Sequence, residues 1–255
     1  MKSFFPHMYD SPENNQVVGS LSYGIVAFVV LPFTFTLFFF ERNSEQVYVV
    51  LEYIYQGMNA AMMLAIFRAY LRDSWLNVSI APRRVLGYAL GAAGVILGLY
   101  LEFLKWAAAE LFESAGTVFF GALPMTGIEL MLLPGDFALF GGIPAMLFLV
   151  VLGPVLTACM FYATAFAPVC ASGRRTLAYF AVAVLLAVPR VITSFTVWGG
   201  WKEGALYLAQ LPIHWLACWT YEQTDTVWAP IFTLTFVNLL SCVILFAMKL
   251  TLIIG

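Results

Sequence analysis

The chain has 255 residues, of which 62% are hydrophobic and 10% charged, and its net charge is −2. A soluble domain carries about 25% charged residues, so this chain has too little polar surface to face water on every side, and the lipid bilayer is its expected solvent. The weakly acidic balance excludes a nucleic-acid partner, and the only two histidines, His7 and His214, are too far apart in the chain for a His-rich metal centre.

The N-terminal stretch 1–15 holds one lysine, two acids and two prolines before any long apolar run. It is expected to be a retained polar arm and not a signal peptide. A membrane-crossing helix takes about 20 apolar residues. On that measure seven segments qualify, at roughly 16–40, 47–68, 85–104, 142–168, 177–198, 205–221 and 227–253. The expected fold is therefore all-α, a polytopic transmembrane helical bundle of about seven spans, with 16–255 forming a single membrane domain.

In the second segment Glu52, Gln56 and Asn59 are spaced i, i+4 and i+7 and share one helix face. Polar groups in the membrane usually face the bundle interior, so these three are expected to line an internal polar groove, with His214 of the sixth segment. The stretch 68–84, with Arg68, Arg72, Arg83 and Arg84, reads as a loop. Gly87, Gly91, Gly94 and Gly98 then fall on one face, a pattern that lets a neighbouring helix approach closely.

Residues 105–141 are apolar but interrupted by Pro124, Gly127, Pro134 and Gly135. They fit a re-entrant or interfacial segment, because broken backbone at membrane depth needs protein or water to satisfy it. Pro144 and Pro154 predict a kink in the fourth segment. The fifth carries Pro189-Arg190 near its middle. A guanidinium there costs a few kcal/mol and calls for a carboxylate, with Glu52 as the candidate, a ring of carbonyls or an anionic ligand, the last in a contact with a partner, lipid or peptide. Pro230 and Asn238 lie in the last segment, and Trp198, Trp201, Trp215, Trp219 and Trp228 lie near helix ends as an aromatic belt. Cys159, Cys170, Cys218 and Cys242 sit in apolar segments without a CxxC spacing and read as buried free thiols. No phosphate loop, HExxH motif or Ser-His-Asp arrangement is present, and no cofactor or metal is expected.

The arginines of 68–84 and Arg174-Arg175 outweigh the bases elsewhere. Cytoplasmic loops are enriched in Lys and Arg, so both stretches, and with them the N-terminus, are placed on the cytoplasmic side of a cell (inner or plasma) membrane.

The stretch from Trp219 to Leu240, WTYEQTDTVWAPIFTLTFVNLL, resembles the last motif of the CAAX protease and bacteriocin-processing family of intramembrane proteins. Tyr221, Glu222, Thr224, Trp228, Ala229, Pro230, Ile231 and Asn238 stand in matching places. The resemblance implies the helical membrane fold of that family. It also implies a departure from its chemistry. Leu234 stands where the family has a histidine four residues before the asparagine. Thr157 and Ala158 take the places of a glutamate pair, Tyr162 that of an arginine, and Arg190 that of a second histidine. Water activation in these proteases needs a carboxylate base and groups that stabilise the oxyanion, which threonine, alanine and leucine cannot supply.

The expected function is accordingly that of a non-catalytic subunit or regulator of a membrane complex. It would hold a partner helix, a lipid-modified peptide or a lipid in the former active-site groove. Two alternatives stand beside it. One is a transporter or permease subunit with a solute path lined by Glu52, Gln56, Asn59 and Arg190; the other is a membrane enzyme with non-family chemistry.

Overall fold

The computed structural model describes residues 12–26, 45–100, 148–193 and 211–240, with the backbone alone for 45–53, 55–56, 99–100, 148–149 and 187–193. The described residues form helices and the short connections between them, with no strand among them, which is the all-α class expected. The helices are α1 (Asn14–Ile25), α2 (Glu45–Ile80), α3 (Pro82–Val95, continued as π-helix Ile96–Tyr100) and α4 (Val150–Ala171). They are followed by α5 (Arg175–Thr193), α6 (Leu211–Thr224) and α7 (Trp228–Leu240). The expected segment 105–141 lies outside the described residues.

Helix α2 corrects the expectation of a loop at 68–84: it is one helix of 36 residues that runs through every arginine up to Ile80. At 1.5 Å per residue it is about 54 Å long. No proline interrupts it, and its buried stripe of Asn59, Met63, Phe67, Tyr70, Ser74 and Val78 keeps a three-or-four residue spacing past Arg68 and Arg72. Hydropathy alone ends this segment at Arg68, but the helical period continues. The stop comes at Ala81, which precedes Pro82 and is held at φ −134° and ψ 57°, outside the helical region. A following proline disfavours that region sterically. Pro82 opens α3, where its missing N–H costs nothing, and the chain turns by 100°.

Among the described residues nothing lies within 4 Å of a Cβ placed at Gly87, Gly91, Gly94 or Gly98, so none of them packs on the glycine face of α3. Among the described residues the packed face is the other one, formed by Val85, Ala89, Ala92, Ala93 and Ile96. Those residues offer β-carbons to bury, and alanine is also the better helix former. This face lies on α6, with the Tyr88 ring edge-on to Trp219 at 5.4 Å.

Helix α4 is the centre of the bundle and packs on α1, α2 and α5. From Tyr162 to Ala167 every residue is buried, as expected of a helix that is apolar all round. The kink predicted at Pro154 takes the form of wider winding. Residues Phe148–Leu152 and Ala158–Phe166 are π-helical, and each stretch ends just before a proline, Pro154 and Pro168. A proline lacks the N–H for the i−4 carbonyl and collides with it; an i→i+5 turn relieves both. Pro144 lies outside the described residues.

Paired contacts fix the helix directions. In α1, Gln16 Nε2 donates to Ile66 O at 3.2 Å, Ser20 Oγ lies 3.6 Å from Met63 Sδ, and Tyr23 OH donates to Asn59 Oδ1 at 2.6 Å. Rising numbers in α1 thus meet falling numbers in α2, and the two are antiparallel. Thr164 Oγ1 donates to Ser20 Oγ at 2.7 Å, while Gly24 faces Met160, so α1 is also antiparallel to α4. Tyr162 meets His214 and Phe166 meets Tyr221, so α4 and α6 run the same way. Helices α5 and α7 run against α6, with Arg175 at Glu222 and Thr233 at Thr220.

The α4–α5 connection is Ser172–Arg174, with Gly173 at φ +82°. Among the described residues nothing lies within 4 Å of a Cβ there, so Gly173→Ala tests backbone strain. It is expected to destabilise by about 1 kcal/mol, read as a lowered thermal midpoint in detergent.

Among the described residues α4, of 22 residues and mean hydropathy 1.8, is the helix long and apolar enough to cross a membrane by itself. The bent pair Gly57–Ile80 and Pro82–Gly98 would count as a second, broken span, while Arg175–Leu186 and Trp228–Leu240 are apolar but shorter.

Candidate functional site

The described positions at which the resemblance implies catalytic residues lie inside the packed core. The π-wound part of α4 carries Ala158 and Tyr162, both fully buried; Thr157 is half-buried. Tyr162 OH lies 2.7 Å from His214 Nδ1, and His214, in the first turn of α6, is itself buried. A phenol and an imidazole can satisfy one another without placing a net charge in the interior, which would be costly. Leu234 and Asn238, one turn apart on α7, are buried as well. Ala158, Tyr162 and Leu234 belong to one apolar cluster with Ile213 and Ala217 from either side of His214.

Asn59 is buried on α2, tied to α1 through Tyr23, and its Nδ2 has no hydrogen-bond partner among the described residues. The structure therefore joins Tyr162 to His214 and gives Asn59 to α1. The side chains of Glu52, Gln56 and Arg190 lie outside the described residues, although their backbone belongs to α2 and α5. Cys159, Cys170 and Cys218 are buried free thiols as expected. No group of three His, Cys, Asp or Glu side chains that could hold a metal occurs among the described residues.

The residues of the resembled motif have structural work instead. Helix α6 stays helical through Thr224, and the turn to α7 is Asp225–Val227, with Asp225 at φ +52°. Tyr221 OH meets Tyr70 OH at 3.0 Å. Glu222 accepts from Tyr179 OH at 2.9 Å and pairs with Arg175 at 2.8 Å. Thr224 Oγ1 donates to Thr220 O at 2.7 Å, and Trp228 Nε1 to Leu71 O at 2.9 Å. Ala229 is buried against Val78 and Val85.

The turn itself is gripped by α2. Asn77 Nδ2 donates to Asp225 O at 3.0 Å, and Ser74 Oγ lies 2.9 Å from Thr226 Oγ1 and accepts from Val227 N–H at 3.1 Å. Arg84 of α3 donates to Gln223 O. Arg84 and Arg175 thus reach adjacent residues, Gln223 and Glu222, so the two arginine-bearing stretches lie at one end of the bundle.

Tyr70, Ser74, Tyr179 and Thr226 were not singled out from the sequence. Their one signal was the spacing Tyr70, Ser74, Asn77, which repeats the face begun by Asn59. Around His214 the geometry provides a locked hydrogen bond, but its phenol partner cannot take the place of a carboxylate that activates water. No family profile, curated protein or solved structure matches the chain.

Proposed function

We propose that the chain is a polytopic membrane protein related to the CAAX protease and bacteriocin-processing family that has lost proteolysis and serves as a subunit or regulator of a membrane complex. Its ligand is a partner helix, a lipid-modified peptide or a lipid. The observation that carries this reading is the buried Tyr162–His214 hydrogen bond, closed in by Ala158 where that chemistry would need a glutamate.

Membrane residence is supported by the outward apolar side chains. Ile54, Met58, Leu90, Phe180 and Val184 are all exposed, and large apolar side chains turned outward on several helices suit a surface that meets lipid or a partner. Seven spans are supported by the helix directions. Gln16 lies against Ile66, near Arg68, so α1 starts at the arginine end. Helices α3, α5 and α7 also leave that end, and α2, α4 and α6 arrive at it. With 105–141 re-entrant or interfacial, and with α2 and α3 counted as separate crossings on either side of their 100° bend, this alternation supports the reading of seven spans with the arginine end and the N-terminus on the cytoplasmic side.

Purification of the full chain from its native membranes in a gentle detergent tests the reading. A partner recovered at fixed stoichiometry is the expected result. A chain that emerges alone and, in proteoliposomes, carries a solute flux abolished by Arg190→Ala would overturn it in favour of a transporter. Peptide cleavage lost on His214→Ala would overturn the non-catalytic part.

A further inference from the structure

We propose that the outer face of α2 around Arg68 and Arg72 is a binding site for one anionic phospholipid of the surrounding bilayer. The site rests on the membrane reading above and lies apart from the residues marked by the protease resemblance.

An open groove of about 490 Å³ runs along α2 beside α7, walled by Leu64, Leu71, Trp75 and Trp228 and bordered by Arg68 and Arg72. The helical period explains how α2 makes it. Ile54, Met58, Arg68 and Arg72 fall on one face, since 18 residues make five turns, and all four are exposed. Going towards the C-terminus, this face is apolar for about 21 Å from Ile54 and becomes cationic at Arg68. One leaflet of hydrocarbon is about 15 Å deep. The change of character therefore has the depth of a lipid, with acyl chain along Ile54 to Leu64 and headgroup at the arginines.

The charges are available for a ligand. Among the described residues Arg68 makes no recorded hydrogen bond or ion pair. Arg72 meets only the adjacent Asp73, at 3.0 Å, and both side chains are largely exposed, where such pairs are weak. Two arginines at i, i+4 repel one another; a phosphodiester between them relieves the repulsion, and the guanidinium fork matches phosphate oxygens in two directions at once. Trp75 stands edge-on to Trp228 at 4.9 Å beside them, and tryptophan favours the headgroup level. Cations bordering an apolar slot complement a lipid that is anionic at one end and aliphatic at the other.

The test uses the full chain in detergent, titrated with phosphatidylglycerol or phosphatidylcholine of identical acyl chains, with bound lipid counted by native mass spectrometry. Two double variants are compared, Arg68→Gln with Arg72→Gln, and Arg83→Gln with Arg174→Gln. The second pair removes the same charge from the same end of the bundle but outside the groove. Saturable binding of one phosphatidylglycerol, tighter than phosphatidylcholine, is expected. The groove variant should weaken it roughly 30-fold, about 1 kcal/mol for each arginine, and the other variant less than twofold. Arg68→Lys with Arg72→Lys keeps the charge and removes the fork, and should fall between parent and groove variant; it serves if the glutamine variant does not fold.

Equal losses in the two glutamine variants, equal binding of the two lipids, or full affinity in the lysine variant would each overturn the site. Displacement of phosphatidylglycerol by water-soluble glycerol phosphate would overturn it in favour of a free-phosphate site. Release of the chain from membranes by alkaline carbonate would instead sink the membrane reading. Loss of lipid selectivity in a chain that stays in washed membranes sinks the lipid site alone.

Discussion

Truncating Phe166 to alanine is expected to destabilise the folded chain by about 3–5 kcal/mol. Phe166 is fully buried on α4, with its ring between Tyr179 at 5.0 Å and Tyr221 at 5.6 Å, both edge-to-face. It therefore holds the central helix to α5 and α6 at once. Inside a bilayer, where lipid tails are as apolar as the side chains, helices associate by close packing and hydrogen bonds. A cavity there forfeits contacts that lipid cannot refill. The loss is read as a shift in the unfolding midpoint of the full chain in detergent. Phe166→Leu, which keeps most of the volume, should lose less. Phe180→Ala, at a position 65% exposed, should change stability by no more than about 0.5 kcal/mol. Equal effects at positions 166 and 180 would remove Phe166 from the core.

The residues that could be read from the sequence are those whose neighbours lie within a turn or two. The helical class and the buried thiols follow from composition and period. Arg84 and Arg175, from the two arginine-bearing stretches, meet the adjacent residues Gln223 and Glu222. One error came from reading a charge by type alone. Arg68 and Arg72 are charged but belong to the exposed face of a helix whose other face is still being buried, so α2 passes the point at which its hydropathy falls. The Tyr162–His214 pair was beyond a local reading, because its partners are 52 positions apart and come together only when α4 and α6 run in the same direction.

The stretch from Trp219 to Leu240 has a physical meaning that spacing alone does not carry. Tyr221, Glu222 and Trp228 bond respectively to α2, to α5 and again to α2. These bonds hold α6 and α7 to α2 and α5, so the stretch bears directly on the architecture.

Trp228→Ala is the second large loss expected, about 3 kcal/mol, at the low end of the range for a truncated aromatic because the ring is only part-buried. The indole N–H donates to Leu71 O at 2.9 Å, and the ring lies 4.9 Å from Trp75 and 6.0 Å from Phe232. Trp228→Phe keeps most of the ring contacts and gives up the hydrogen bond, so about 1 kcal/mol of that loss should remain. Amide exchange at Val227 should rise with the alanine variant, since its N–H is held by Ser74 one turn of α2 away from Leu71. Ser74→Ala leaves that buried N–H without its acceptor, at a cost of about 1–3 kcal/mol. Trp228 and Ser74 act on the same turn from the same helix, so the double variant should depart from the sum of the single losses by at least about 0.5 kcal/mol. Additive losses would mean that α2 grips α7 at two independent points and that the turn at Asp225 is not the joint between them.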